Sequence, residues 1–286
     1  MKSNQLKGHL LSVLTAVVWG VTFISTKVLL NDFSPTEILF FRTLLAVLAL
    51  VAIRPRLLKF QGWRKEAVFM LAGLSGVCLY HLVENVAISY TQASNVSVVV
   101  SAAPFFTALM AREERPRRRF YIGFAAAMIG IGLMSFSGVK LKLNPLGDVL
   151  ALTAAGLWAV YSVMVKKIGG YGVETIQSTK RILEYGLLFM LPSLWLFDFH
   201  PEFSRMIHPT YLLNILFLGL VASALCLVTW NFAVKTLGAV KTSVYIYLIP
   251  VVTVAAGAIV LKEKLTMMSG IGIALTLAGL FISEIR

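Results

Sequence analysis

The chain has 286 residues, of which 58% are hydrophobic and only 14% charged, against about a quarter charged in ordinary soluble domains. That balance excludes an ordinary soluble domain and places the chain in the membrane class. The formal net charge of +13 would suit a nucleic-acid binder, but the basic residues collect in short loops between apolar runs, which argues against that reading.

Ten apolar runs follow one another, at about 8–30, 35–53, 67–89, 93–111, 120–138, 146–166, 175–197, 210–234, 240–261 and 267–285. Each is about as long as a helix must be to cross a hydrocarbon core of ~30 Å. The first follows Lys2 and Lys7. It is long, has no small-x-small cleavage site and leads straight into further spans, so it reads as a retained helix and not a signal peptide. Alternate loops hold 17 Lys or Arg on one side and six on the other, with Arg42, Lys180 and Arg181 inside spans. The positive-inside rule then puts both termini in the cytoplasm and the chain in the inner (cytoplasmic) membrane. Cys78 and Cys226 fall within spans and read as small apolar side chains.

The two halves superimpose. At an offset of 139, Trp19 falls on Trp158, Lys27 on Lys166 and Arg42 on Arg181. At 146, Gly73 falls on Gly219, Asn85 on Asn231, Ser97 on Ser243, Pro104 on Pro250 and Thr107 on Thr253. At 149, Glu114 falls on Glu263, Gly123 on Gly272 and Gly130 on Gly279. The expected fold is therefore an all-α membrane protein of ten transmembrane helices, as two five-helix repeats, 1–140 and 141–286. Five is odd, so the second copy enters the membrane from the opposite side, an inverted arrangement found in secondary transporters with a midplane site between the copies. Pro104 to Glu114 spans ten positions and Pro250 to Glu263 thirteen, which predicts a fourth helix about three residues shorter than the ninth.

The "AVVWGVTF" of the first span, "FFRTLLA" of the second, the "SAAPFFTAL" and "YLIPVVTV" prolines, and the glutamates of "REERP" and "LKEKL" followed nine residues later by glycine together resemble the EamA-type family of the drug/metabolite transporter superfamily. The resemblance covers nearly the whole chain. It implies a ten-helix transporter of small metabolites, often an exporter of amino acids or related compounds, with a cavity lined mainly by helices 1, 3, 4, 6, 8 and 9. The pairing of His81 with Glu84 does not belong to the family pattern.

Several residues are candidates for a substrate site. Ser97, Ser101 and Pro104 share one face of the fourth span, and their mates Ser243, Tyr247 and Pro250 share one face of the ninth. A mid-span proline frees a carbonyl one turn earlier, tolerated at depth against protein or a watery cavity, so the hydroxyls suggest a cavity wall and Pro104 and Pro250 helix hinges. Helix packing by small residues is the alternative. Trp19 with Thr22, Trp158 with Tyr161, and Trp230 beside Asn231 offer stacking surfaces and hydrogen bonds to an amphipathic substrate, or simply pack. Arg42 and Arg181 lie deep enough to require snorkelling to the headgroups, Lys180 can pair with Glu184 one turn on, and otherwise the guanidinium groups could clamp a carboxylate.

In "CLYHLVENVAISY", His81, Glu84 and Asn85 lie within two turns of an otherwise apolar span. An acidic residue at mid-span costs ~2.5–3.5 kcal/mol on insertion scales, so Glu84 needs compensation. The mates of His81 and Glu84 are Leu227 and Trp230, whereas Asn85 is matched by Asn231. The asparagines read as shared scaffold or cavity. His81 and Glu84 read as a pair particular to this chain, binding a substrate ammonium group, exchanging a proton, or satisfying one another structurally.

No zinc-binding H-E-x-x-H, G-x-S-x-G elbow or phosphate-binding G-x-x-x-x-G-K-[ST] loop is present, so the chain is not expected to be an enzyme and calls for no metal or cofactor. His200 and His208 read as loop residues. A secondary transporter, exporting small metabolites by alternating access and open to proton coupling, is the reading carried forward. A lipid flippase and a passive facilitator or channel are its alternatives. The expected partners are a small-molecule substrate and the lipid bilayer. The oligomeric state is left open, with a monomer sufficient.

Overall fold

A computed structural model describes residues 2–91, 93–111, 114, 116–136, 144–196, 199–201, 203–260 and 266–284. The ten helices of the fold are α1 (Lys2–Leu29), α2 (Pro35–Ile53), α3 (Trp63–Tyr90), α4 (93–110), α5 (Arg118–Phe136), α6 (Pro145–Gly169), α7 (Thr175–Leu196), α8 (Pro209–Leu237), α9 (239–260) and α10 (Met267–Glu284). Among the described residues, α1, α2, α3, α6, α8 and most of α9 are long and apolar enough to cross a membrane by themselves. The other four are shorter apolar helices or carry charge near one end, and they depend on their neighbours.

Helix starts follow from local chemistry. Ser34 and Glu37 form a reciprocal capping box ahead of Pro35 at the start of α2, which satisfies donors that lipid cannot. Asn144 accepts from the backbone N–H groups of Leu146 and Gly147 at the start of α6, again with proline next. At α9 the cap comes from far away in sequence. Glu114 accepts from Ala239 and Val240 at 3.1 and 2.9 Å and lies 3.8 Å from Lys166. Gly238, at φ 102°, turns the chain from α8 into α9, and a Cβ there would sit 2.7 Å from the Glu114 carboxylate.

The packing shows the inverted repeat. α1 packs on α8 and α9 as α6 packs on α3 and α4, and α2 meets α8 as α7 meets α3. The pseudo-two-fold axis exchanges α2 with α7 and α5 with α10, and both of these pairs are in contact. Each of α3 and α8 contains a π-helical stretch, Gly73–Leu79 and Phe217–Leu225, at corresponding places in the repeats. Such stretches re-phase the helix and recur at functional sites.

The prolines also behave alike. α4 tightens over Ser101 and Ala102 before Pro104, and α9 passes through a 3₁₀ turn, Val244–Tyr247, before Pro250. α4 ends six residues after its proline, at Met110, and α9 ten after its own, at Val260, so the fourth helix is the shorter one. Glu263, with Arg112, Arg115, Lys140, Lys142, Lys262, Lys264 and Arg286, lies outside the described residues.

Two expectations for the intramembrane charges are corrected. Lys180 is 1% exposed and donates to the carbonyls of Arg54 and Arg56 at 2.7 and 3.0 Å, making no ion pair with Glu184 among the described residues. Arg181 donates to the Leu58 carbonyl at 2.6 Å and lies 3.6 Å from Glu66. The 54–61 segment folds back over both, so the loop carbonyls and Glu66 replace the headgroups as partners. Arg42 turns inward, as described below.

At the edge of the bundle, α5 and α10 approach through glycine. A Cβ on Gly130 would lie 2.6 Å from the carbonyl oxygen of Gly272 and the nitrogen of Thr276, and one on Gly279 2.5 Å from the nitrogen of Ala127. Backbones this close are a usual way for helices to associate in lipid, where apolar burial gives little drive. Gly130→Ala is therefore expected to destabilise the protein by about 1–3 kcal/mol through overpacking, read as a lowered melting temperature in detergent. Gly156→Ala, at a position with nothing within 4 Å of the new methyl, should leave it unchanged.

Candidate functional site

Ile38, Arg42, Ala46 and Leu50 recur every four residues on α2, and all are buried. The arginine thus occupies the inward stripe of its helix and not a lipid-facing one. α2 and α8 come close at Gly219, where a Cβ would lie 2.6 Å from that of Leu45. The Arg42 side chain is 3% exposed, and its Nε donates to Ser223 Oγ on the π segment of α8 at 3.0 Å.

The π segment of α3 delivers Tyr80, His81 and Glu84 to the same interior. Tyr80 donates its hydroxyl proton to Glu84 Oε1 at 2.7 Å, and His81 Nδ1 lies 3.3 Å from Glu84 Oε2. Positions four and three residues apart meet on one helical face, so α3 itself supplies partners to both carboxylate oxygens. All three residues are less than 10% exposed. Arg42 and Glu84 are close enough to feel one another's charge, yet among the described residues no ion pair joins them.

Trp19 and Trp158, mates in the two repeats, meet edge to face with ring centres 5.1 Å apart. Tyr80 stands 4.8 Å from Trp158 on its other side. The Trp19 indole N–H donates to the Ala222 carbonyl at 3.0 Å, whereas the Trp158 N–H is buried without a partner among the described residues. Between these groups is a narrow cavity of about 20 Å³ lined by Trp19, Thr22, Phe23, Arg42, Tyr80, His81, Glu84, Val100, Trp158, Ile246 and Ile249. It lies midway along the helices and draws on both repeats. One part of its wall is charged and the rest is aromatic and aliphatic.

The EamA-like transporter family matches residues 6–136 and again residues 145–284. The chain belongs to this family. It is 30% identical over 291 residues to an uncharacterized transporter of Archaeoglobus fulgidus, with 98% of each chain covered. It is 28% identical to a "Probable amino-acid metabolite efflux pump" of Salmonella typhimurium (97% and 94% covered) and 25% identical to a "Probable terminal-alkyne amino-acid exporter" of Streptantibioticus cattleyicolor (96% and 92% covered). A solved structure titled "Crystal structure of protein" shares the fold, with a TM-score of 0.77 at 18% identity over 99% of this chain and 96% of that one.

In this EamA-like transporter, Trp19, Thr22, His81, Glu84 and Trp158 of the sequence candidates meet at the cavity. Trp230 packs behind Trp19 at 5.0 Å and does not line it. The asparagines are structural ties. Asn85 donates to the Pro35 carbonyl at 3.1 Å; Asn231 accepts from the Tyr161 hydroxyl at 2.7 Å and donates to Thr179 at 2.9 Å. Each fastens α3 or α8 to the first turn or two of α2 or α7, a symmetric role. Tyr80, Phe23, Val100, Ile246 and Ile249 complete the wall and were not among the sequence candidates. Arg42 lines it too, where the sequence favoured snorkelling and offered a carboxylate clamp as the alternative.

Ser97, Ser101, Ser243 and Tyr247 are buried and do not line the cavity. Ser101 donates to the Ser97 carbonyl and Ser243 to the Val240 carbonyl, each at 2.7 Å. A second space, a vestibule of about 520 Å³, lies where α4 and α6 end and α9 begins, lined by Met110, Ala111, Glu114, Val163, Lys166, Lys167, Gly170 and Ala239. The stretches of α4, α6 and α9 between this vestibule and the cavity hold Ser101, Thr107, Tyr161, Ser162, Thr242 and Ser243, all 0% exposed. The Ser162 and Thr242 hydroxyls in this layer have no partner among the described residues. At the opposite face, Asn95 donates to Asp148 at 2.6 Å and Asn144 to the Tyr90 carbonyl at 3.2 Å, joining α4 and α3 to α6.

Tyr161→Phe leaves the Asn231 carbonyl oxygen buried without its donor. The expected cost is about 1–3 kcal/mol of stability, read by thermal denaturation in detergent, with the cavity wall unchanged.

Proposed function

We propose that this EamA-like transporter is a secondary exporter of amino acids and related small amphipathic metabolites. It works by alternating access in the inner membrane, with both termini in the cytoplasm. The observation that carries the reading is the midplane cavity between inverted repeats, whose wall combines Arg42 and Glu84 with two facing indoles. Relatives named as efflux pumps and exporters of amino-acid compounds support the substrate class and the direction. The excess of basic residues in alternate loops supports the orientation.

Alternating access needs two packings that open the site to one side at a time. The buried hydroxyl layer between cavity and vestibule suits this. Polar groups left unpaired inside a dry layer are costly, and Ser162 and Thr242 gain water when the layer parts. The hydrogen bonds of Asn95 and Asn144 supply the barrier at the other face. The His81–Glu84 pair, 3.3 Å apart and facing the cavity, is the site proposed to exchange a proton with each cycle.

Purified protein in proteoliposomes should catalyse counterflow of a labelled amino acid. Uptake driven by an imposed pH gradient should lose its gradient dependence in His81→Ala and Glu84→Gln. Absence of counterflow for every amino acid tested overturns the substrate class, and unaltered gradient dependence in both variants overturns the proton site.

A further inference from the structure

Arg42 and Arg181 are equivalents in the two repeats, and their surroundings differ in one decisive way. Arg181 is neutralised, 3.6 Å from Glu66 and bonded to the Leu58 carbonyl. Among the described residues Arg42 has a single hydrogen bond, from Nε to Ser223, although a guanidinium carries five N–H donors. No carboxylate oxygen among the described residues lies within 4.0 Å of its nitrogens. Glu84 is the one carboxylate in the wall of the same cavity. It accepts from Tyr80 and faces His81, but a carboxylate offers about four acceptor positions, so capacity remains. Buried opposite charges that share a cavity without touching leave a gap where a third party can satisfy both.

We infer that the cavity selects zwitterions, with Arg42 holding the carboxylate of an α-amino acid and Glu84 its ammonium group. This rests on the efflux reading above and adds which charge is read by which residue. Elimination among the polar groups of the wall supports the assignment. The Thr22 hydroxyl is engaged by the Trp19 carbonyl, the Trp19 N–H by Ala222, and the Tyr80 hydroxyl by Glu84. The donors left for a carboxylate are the remaining guanidinium N–H groups of Arg42, the Trp158 N–H, which has no partner among the described residues, and the His81 ring nitrogen that does not face Glu84; Arg42 alone among them is a permanent cation. A guanidinium fork suits a carboxylate geometrically. Phe23, Ile246 and Ile249 leave an apolar surface for an aliphatic or aromatic side chain.

Charge balance sets the selectivity. With His81 neutral, Arg42 and Glu84 are the opposite charges of the wall, and a zwitterion adds no net charge. A carboxamide analogue brings a cation with no anion for Arg42, and a hydroxy-acid analogue brings an anion with no cation for Glu84. Either leaves one buried charge unpaired, which at desolvated interfaces lowers affinity by roughly 30-fold or more.

The test uses wild-type proteoliposomes and counterflow of labelled L-leucine, which needs no ion gradient, with leucinamide and 2-hydroxyisocaproate as competitors. Both analogues should compete at least roughly 30-fold more weakly than leucine. In Arg42→Gln the preference for leucine over leucinamide should collapse while the hydroxy acid remains excluded, and in Glu84→Gln the pattern should reverse. Arg42→Lys, which keeps the charge and loses the fork, should retain the preference for leucine over leucinamide. If wild type exchanges leucine but accepts both analogues equally well, the inference falls and the efflux reading stands. The same holds if folded variants keep the wild-type order. If wild type exchanges no amino acid, the efflux reading falls and the inference with it. Should the variants not fold, the wild-type competition decides alone.

Discussion

Hydrocarbon offers no partner to a hydrogen-bonding group, so every polar side chain within the spans must find one inside the bundle. This constraint turns the usual arrangement inside out. Leucine, isoleucine and valine face outward along α1, α5 and α7, while Thr15, Arg42, Glu84, Asn85, Asn231 and Thr253 are buried. The bundle is then held by polar ties such as Asn231 to Thr179, and by backbones drawn together at Gly130 and Gly279. A pocket between the repeats is where polar groups not consumed by such ties remain available.

The charged cavity of this transporter lies where the repeats differ. What they share is scaffold: the π segments of α3 and α8, the tightened turns before Pro104 and Pro250, and the asparagines that fasten α3 and α8 to α2 and α7. At the cavity the equivalence breaks. Glu84 has Trp230 as its mate, and Arg42, left without an acid partner, has the neutralised Arg181. A charged cavity facing one repeat's π segment and an aromatic cluster backing the other's give the site a polar side and an apolar side. A symmetric pair of repeats could not supply that.

The layer between cavity and vestibule has a related logic. An apolar seal would be stable and hard to hydrate, whereas small hydroxyl residues close tightly when dry and accept water when separated. Three of the six bond within their own helices, as Ser101 does to Ser97 and Thr107 to Ala103, and only Tyr161 reaches another helix among the described residues. Parting the helices there therefore breaks few bonds between them. Glu114 sits at the inner edge of this layer, capping α9 and reaching Lys166 on α6, so it ties the first turn of α9 to α6.

The ten spans, the doubled five-helix unit and the pairing of Trp19 with Trp158 were legible in the sequence, because hydropathy and internal offsets are properties of the chain alone. So was the tension at Glu84, since an acid in an apolar span demands a partner wherever the helix goes. The destinations of Arg42 and Arg181 were not. Both sit at like depths in like segments, and the sequence favoured the same snorkelling answer for both. The close approach at Gly219 and the π turn beside Ser223 carry one to the cavity, while the returning 54–61 segment covers the other. The serine stripes were read as a cavity wall and instead lie buried between helices for the same reason. A helical pattern states which residues share a face, but only the packing of α4 against α6 and α9 decides whether that face meets water or another helix.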